Sequence, residues 1–199
     1  MTVVGTWMRT GHFIRKHPWQ NSSYLGVIKD LHLLYYTIFN TEFGWVAIAG
    51  SAEGLSRITL PQTNREKASD YIAGLLPQAV ADRSFFGNLI PRLQGYFKGE
   101  RVDFPDALDL RGCTTFQGNV WALTRAIPYG ETRTYGWIAK EIGFPRAGRA
   151  VGRALARNRF PIVVPCHRVV GGDGSMVGFS NGLEMKRKLL ALEASFISI

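Results

Sequence analysis

Hydrophobic and polar positions fall into a regular pattern from Tyr35 onward. Residues 35–39 and 44–49 are short apolar or β-branched runs separated by Asn40-Thr41-Glu42, and 55–60 follows the turn-forming Ser51-Ala52-Glu53-Gly54. Short runs with this punctuation predict a three-stranded antiparallel meander, ended by Pro61. Two helices are expected next, over 64–76 and 84–97. In the second, Phe85, Leu89, Leu93 and Phe97 recur along one stripe. Pro91 weakens that helix unless the helix starts later than Ser84. Strands followed by packed helices indicate a small α/β or α+β domain.

Residues 102–110 alternate imperfectly around Pro105 and read as an edge strand leading into a connector. The texture then turns helical. Thr114 or Thr115 can cap a helix running to about Ile127, which Pro128-Tyr129-Gly130 breaks. Thr134 can cap a short helix over 135–142, Gly143-Phe144-Pro145 turns the chain, and 148–157 forms another helix. Two short helices across a glycine-containing turn resemble a helix-turn-helix. The second is unusual: Ala147, Gly148, Ala150, Gly152, Ala154 and Ala156 leave it nearly bare, with Arg149, Arg153 and Arg157 projecting. Such a face suits close packing against protein, and it equally suits close approach to a nucleic-acid backbone. A last helix, rich in Lys and Arg, is expected over 184–193. The chain thus divides into an N-terminal α/β domain over 35–110 and a mainly helical domain over 111–199. Residues 1–34 show no sustained period despite Trp7 and Trp19, and read as a weakly ordered or peripheral extension.

Charge adds to this picture. The formal net charge of the 199 residues is +9, and the excess is uneven. From Arg111 onward there are 13 basic and 5 acidic residues, whereas the preceding part carries 11 and 10. A basic half of this kind suits a polyanion, because counterion release makes binding favourable. Two cysteines, Cys113 and Cys166, exclude a disulfide-rich scaffold. No window approaches the roughly 20 apolar residues of a membrane-spanning helix. The basic N-terminus lacks the apolar core of a signal peptide. A protein of a reducing, cytoplasmic compartment is expected, nucleoid-associated if prokaryotic, with no membrane partner. The two cysteines and four scattered histidines offer no metal-ligand spacing.

The chemistry concentrates in Cys166-His167-Arg168, which follows a short apolar run over 160–164 bounded by Pro161 and Pro165. An adjacent His, nearby Arg168 and a basic domain all favour thiolate over thiol. Neighbours on an extended chain point to opposite faces, so a Cys–His bond requires a turn or a bridging water. Gly171-Gly172-Asp173-Gly174 makes a tight turn. Gly178-Phe179-Ser180-Asn181-Gly182 makes a second loop, where an aromatic and a hydroxyl can line a pocket.

The run Pro165-Cys166-His167-Arg168-Val169-Val170 resembles the active-site signature of the O6-alkylguanine-DNA alkyltransferases. Phe116-Gln117, Val120-Trp121, Ile127-Pro128-Tyr129-Gly130, Thr134-Tyr135-Gly136, Arg149-Ala150-Val151-Gly152, Asn158 and the helix from Gly182-Leu183-Glu184 to Leu190 follow in the order and spacing of that family. The resemblance is strong over 111–195 and weaker over 35–110. It implies an RNase H-like N-terminal domain, a winged-helix-like C-terminal domain, and repair of O6-alkylguanine, with O4-methylthymine as a further substrate, in double-stranded DNA. On that resemblance the base is flipped from the stack and Cys166 takes the alkyl group in one displacement, without a cofactor. His167, polarised by Glu193, draws the thiol proton through a water. Tyr135 donates to the departing base, and Asn158 braces the turn carrying the cysteine. Arg149 fills the gap left by the flipped nucleotide. Tyr135, Ala150, Gly152 and Arg153 meet the DNA. Val169, Phe179, Ser180 and Asn181 line the pocket, where Phe179 and Asn181 depart from the family's common residues. Cys113 is a structural or incidental thiol. The protein is expected to act as a monomer.

Two other classes compete: a damage sensor that binds without transferring, against which Cys166 argues, and a Cys-His hydrolase, which leaves the bare basic helix unexplained. Charge placement yields a direct test. Arg153→Ala and Arg157→Ala should each flatten the salt dependence of duplex binding, by roughly 0.9 on a logarithmic plot for every phosphate left without its cation. Lys67→Ala, in the near-neutral half, should leave it unchanged. Titrations at several salt concentrations decide this, and a slope altered by Lys67 alone defeats the charge argument.

Overall fold

A two-residue turn at Glu42-Phe43 closes the first hairpin of the computed structural model, which describes residues 33–179 and 182–194. Strand β1 (Leu34–Thr41) pairs antiparallel with β2 (Gly44–Ser51), in register from Tyr35 opposite Gly50 to Thr41 opposite Gly44. Gly44 sits at φ 121° against the backbone of Gln62, where a side chain has no room. Strand β3 (Gly54–Ile58) completes the meander, with a bulge between Ala49 and Gly50. A fourth strand, β4 (Ala79–Ala81), joins the other edge parallel to β1, giving the order β3-β2-β1-β4. Three residues cannot display a period of two, so this strand left no sequence signal.

The helices of this half are shorter than expected. Helix α1 (Arg65–Asp70) is capped by Asn64, whose side chain accepts from Lys67 N at 2.8 Å. Beyond Asp70 the chain loosens into turns before Pro77, instead of continuing to Leu76. The 84–97 stretch breaks at Gly87, which has positive φ. A single 3₁₀ turn precedes it, and α2 spans only Leu89–Phe97. Pro91 therefore falls in the first turn, where its missing N–H forfeits no helical bond. Phe85 leaves the stripe and stacks on Tyr35 at 4.1 Å, while Leu89, Leu93 and Phe97 are buried. Residues 102–110 do not form the expected edge strand. Only Leu108 bridges to Leu55, and the Arg125 guanidinium takes the carbonyls of Phe104 and Asp106.

The second half is helical, as its pattern predicts. A reciprocal capping box between Thr114 and Gln117 starts α3 (Thr115–Arg125). Thr134 caps α4 (Tyr135–Glu141) by accepting from Trp137 N at 3.0 Å. Gly143, at φ 85°, turns the chain towards α5 (Gly148–Ala156), which packs against both α3 and α4. A two-residue parallel ladder joins β5 (Arg133–Thr134) to β6 (Val169–Val170), and α6 (Leu183–Ala194) closes the described chain. This ladder, like β4, is too short to show in the pattern. The run over 160–164 forms turns, and everything from Phe160 to Gly171 is buried. Ile162 is held there at φ 74°, a costly conformation for a β-branched residue.

One continuous apolar core includes Phe39, Ile48, Leu93 and Phe97 of the sheet half and Val120, Trp121, Phe160 and Leu189 of the helical half. The halves are also stitched by Ile58 N, which donates to Arg159 O at 2.8 Å. Among the described residues no helix is long and apolar enough to cross a membrane. The extension read over 1–34 lies almost wholly outside the described residues.

Trp121 ties α3 to α5 through its indole N–H, which donates to Ala154 O at 3.0 Å from a buried ring packed on Phe160. Trp121→Phe should lower the unfolding free energy by about 2 kcal/mol, from the missing volume and the missing donor together. Urea denaturation checks this, and an unchanged midpoint would exclude Trp121 as the pin between the helices.

Candidate active site and nucleic-acid face

Pro165 ends the apolar run over 160–164, and the next three residues, Cys166–Arg168, wind into one 3₁₀ turn. This turn meets the geometric requirement that an extended chain fails. Asn158 braces the 160–164 run that leads into it at both ends: its amide donates to Val164 O at 2.8 Å, and its carbonyl accepts from Phe160 N at 2.9 Å. Cys166 is buried, with 8% of the residue exposed. Burial pushes its pKa up, while a hydrogen bond from Asn158 and the charge of Lys186 pull the other way. The resting sulfur is therefore a thiol that needs a base.

His167 is buried with it. Burial lowers the imidazole's pKa against the raising effect of Glu193, so the ring rests neutral. Its Nε2 lies 2.7 Å from Glu193 Oε1, a carboxylate oxygen that can only accept, so Nε2 carries the proton. The other nitrogen, Nδ1, is then a bare acceptor, without a partner among the described residues. Arg168 was expected to favour the thiolate. Instead its guanidinium turns away, to Glu193 through Nε and Nη2 at 2.9 and 3.0 Å and to Ile127 O at 2.6 Å. Glu193 also accepts from Gly130 N at 3.1 Å and from the Tyr96 hydroxyl at 2.7 Å. Burial raises its pKa, but the hydrogen bonds from His167 and Arg168 outweigh that and hold it at about 2.

Lys186 is a second buried charge that sequence reasoning passed over. Its ammonium donates to Val169 O at 2.6 Å and lies 5.9 Å from the Tyr135 ring centre. Burial lowers its pKa, opposed by Cys166. A signal existed: Lys186, Leu189 and Glu193 recur at helical spacing, and all three are buried on α6. Tyr135 donates to Val177 O at 3.0 Å, and burial with the nearby cysteine's charge raises its pKa, so it stays a donor.

The bare helix serves two purposes. Gly148 and Gly152 lie against Tyr135: a Cβ at Gly152 would contact its ring at 3.7 Å, and one at Gly148 would come within 4.0 Å of its Cβ. Arg149 and Arg153 are exposed, and Ala150 is half-buried. Tyr135, Gly148, Arg149, Gly152, Val177 and Phe179 border a cavity of about 620 Å³. Cys166 is not in its wall; it borders a separate cleft of about 270 Å³ beside Asn158, Leu155 and Ile58. Val169 is buried beneath Lys186. Ser180 and Asn181 lie outside the described residues. Cys113 stands away from this site, its sulfur accepting from Arg159 Nη2 at 2.9 Å. Among the described residues no cluster of His, Cys, Asp and Glu can hold a metal.

Comparison with known proteins places the chain among relatives. Residues 34–110 match the family model of the 6-O-methylguanine DNA methyltransferase ribonuclease-like domain, and 115–195 match that of the DNA-binding domain. A methylated-DNA–protein-cysteine methyltransferase of Methanosarcina acetivorans is 42% identical over 163 residues, covering 81% of this chain and 99% of the relative. One from Mycolicibacterium paratuberculosis is 52% identical over 162 residues, covering 81% and 93%. The crystal structure of Mycobacterium tuberculosis OGT in complex with DNA matches with TM-score 0.69 and 41% identity, over 81% of this chain and 93% of that one.

Glu193 makes the site's stability pH-dependent. Its folded pKa lies below the ordinary 4.5, so its contribution is complete above that value and drains as pH falls towards about 2. Other carboxylates, Asp109 among them, titrate in the same direction. The difference between wild type and Glu193→Gln isolates this one: wild type should lose stability faster across that window. Parallel denaturation curves at each pH would show that Glu193 gains nothing on folding.

Proposed function

Because the chain belongs to the 6-O-methylguanine DNA methyltransferase family, we propose that Cys166 is its alkyl acceptor and that each molecule reacts once. Repair of DNA by alkyl transfer to a protein cysteine is the activity, and DNA is the partner. The observation that carries the finer reading is a buried thiol in the same turn as a neutral imidazole whose Nδ1 is left as acceptor. In the proposed step the thiol proton passes to His167 Nδ1 through one water. The sulfur attacks the alkyl carbon of O6-methylguanine, the carbon–oxygen bond breaks, and its electron pair leaves on guanine. Tyr135 donates to the departing base, and the imidazolium's proton restores the balance through it. The thioether remains on Cys166, so no cofactor enters and no acceptor is regenerated. O4-methylthymine offers the same displacement.

A thiol this deep cannot reach an O6 substituent inside the stack, which supports extrusion of the base. Arg149, exposed at the start of α5, is positioned to occupy the gap. Arg153 contacts the backbone, while Ala150 and Gly152 allow the helix to approach it. Val169 and Phe179 contribute to the base pocket. The protein acts as a monomer.

Mass spectrometry tests the acceptor. Wild type incubated with duplex containing O6-methylguanine should gain a single methyl, mapped to Cys166. Cys166→Ser should gain none while binding the duplex as before, since a hydroxyl at neutral pH is far less nucleophilic. A label on Cys113, or repeated turnover, would overturn the reading.

A further inference from the structure

The proposed mechanism draws on the helical half alone, yet one buried polar group of the sheet half reaches into it. Tyr96, near the end of α2, is fully buried. Its ring is wedged edge-on against Phe97, Phe104 and Tyr129, with centroids 5.3, 6.2 and 6.1 Å away, and so cannot swing aside. Its hydroxyl donates to Glu193 Oε1 at 2.7 Å, the same oxygen that faces His167 Nε2. A tyrosine hydroxyl has one proton. With that proton directed to the carboxylate, the hydroxyl oxygen presents lone pairs to His167 Nε2, 3.2 Å away. The imidazole N–H therefore meets two acceptors, one from each half of the molecule.

We propose that Tyr96 is a positioning residue for alkyl transfer, holding the Glu193 carboxylate and the His167 tautomer that leave Nδ1 to receive the Cys166 proton. This rests on the alkyl-transfer reading above. Burial and the charge of Glu193 push the tyrosine's pKa well up, so the donor persists across the working pH range. Donation also draws charge from Glu193 and so moderates how strongly the carboxylate stabilises an imidazolium. The other groups acting on His167 are Arg168 beside it in the turn and Lys186 from α6, both cationic and both lowering its basicity. Tyr96, by contrast, is neutral, and it reaches the pair from the sheet half.

Single-turnover methyl transfer, followed against pH at saturating duplex, tests this. In Tyr96→Phe the carboxylate's charge falls more fully on His167. The acid limb of the rate profile should move up by about half a pH unit. The plateau should fall about tenfold as the ring loses an acceptor and Glu193 a fixing donor. Duplex affinity should stay unchanged. Site-specific 3-fluorotyrosine at Tyr96 keeps the shape and makes a stronger donor, so the limb should move down; it also serves if the phenylalanine variant does not fold. A limb that stays in place in the fluorinated protein, or in a folded Tyr96→Phe, would reduce Tyr96 to a packing group and leave the alkyl-transfer reading standing. A wild type that accepts no methyl defeats both.

Discussion

The buried carboxylate of Glu193 is the constraint on which the site depends. A lone carboxylate in an apolar interior is prohibitively costly, and it persists only where donors replace its water. Here Tyr96, Gly130, His167 and Arg168 supply them, from α2, the turn after α3 and the active-site turn. Each must reach one side chain near the end of α6. That convergence fixes the helix against both halves of the molecule. It also explains why Arg168, adjacent to the reactive residues in sequence, serves the carboxylate instead of the sulfur. Removing any one donor leaves the others in place, whereas removing Glu193 strands a guanidinium and an imidazole together.

Around that anion the charges do not cancel. Arg168 and Lys186 are both buried cations; Glu193 pairs with Arg168, whereas Lys186 has, among the described residues, the carbonyls of Val169 and Val177 as hydrogen-bond partners. A negative charge developing on Cys166 brings the cluster nearer to neutrality, and Lys186 lowers the thiol's pKa accordingly. Burial works against the thiolate and the surplus cation works for it. The outcome is a thiol at rest that can be ionised when a proton acceptor is in place. On the proposed chemistry the neutral His167 is that acceptor, held in the required tautomer by the same carboxylate.

How much of this was legible in the sequence follows from the range of each interaction. Cys166, His167 and Asn158 lie within a few residues of one another, and their turn is a local motif. Thr114 and Thr134 cap helices through residues three positions away, and both caps were readable. Gly87 splits the expected 84–97 helix by its backbone conformation, which the four-residue stripe of apolar side chains concealed. Strands β4 and β6 exist only because distant partners pair with them. Glu193 was reached through the family resemblance alone, since its spacing from His167 carries no rule. Tyr96 lies 71 residues from His167 and 97 from Glu193. No pattern in α2 separates it from the apolar stripe it sits in, because an aromatic ring satisfies that stripe whether or not its hydroxyl has work to do.

The packing around Cys166 bears on why one reaction per molecule suits this fold. The segment from Phe160 to Gly171 is buried, and Ile162 holds a conformation that only its surroundings enforce. Such rigidity fixes the segment leading into the active-site turn at a cost of order 1–3 kcal/mol in backbone strain. On the proposed chemistry the product is a methyl group fixed to the same sulfur, at the wall of the cleft of about 270 Å³. An enzyme that turns over has to relax, release its product and recover this arrangement each time. A protein that keeps its product has no release step, so it can hold its nucleophile at the end of a buried, strained segment without needing the freedom to reset it.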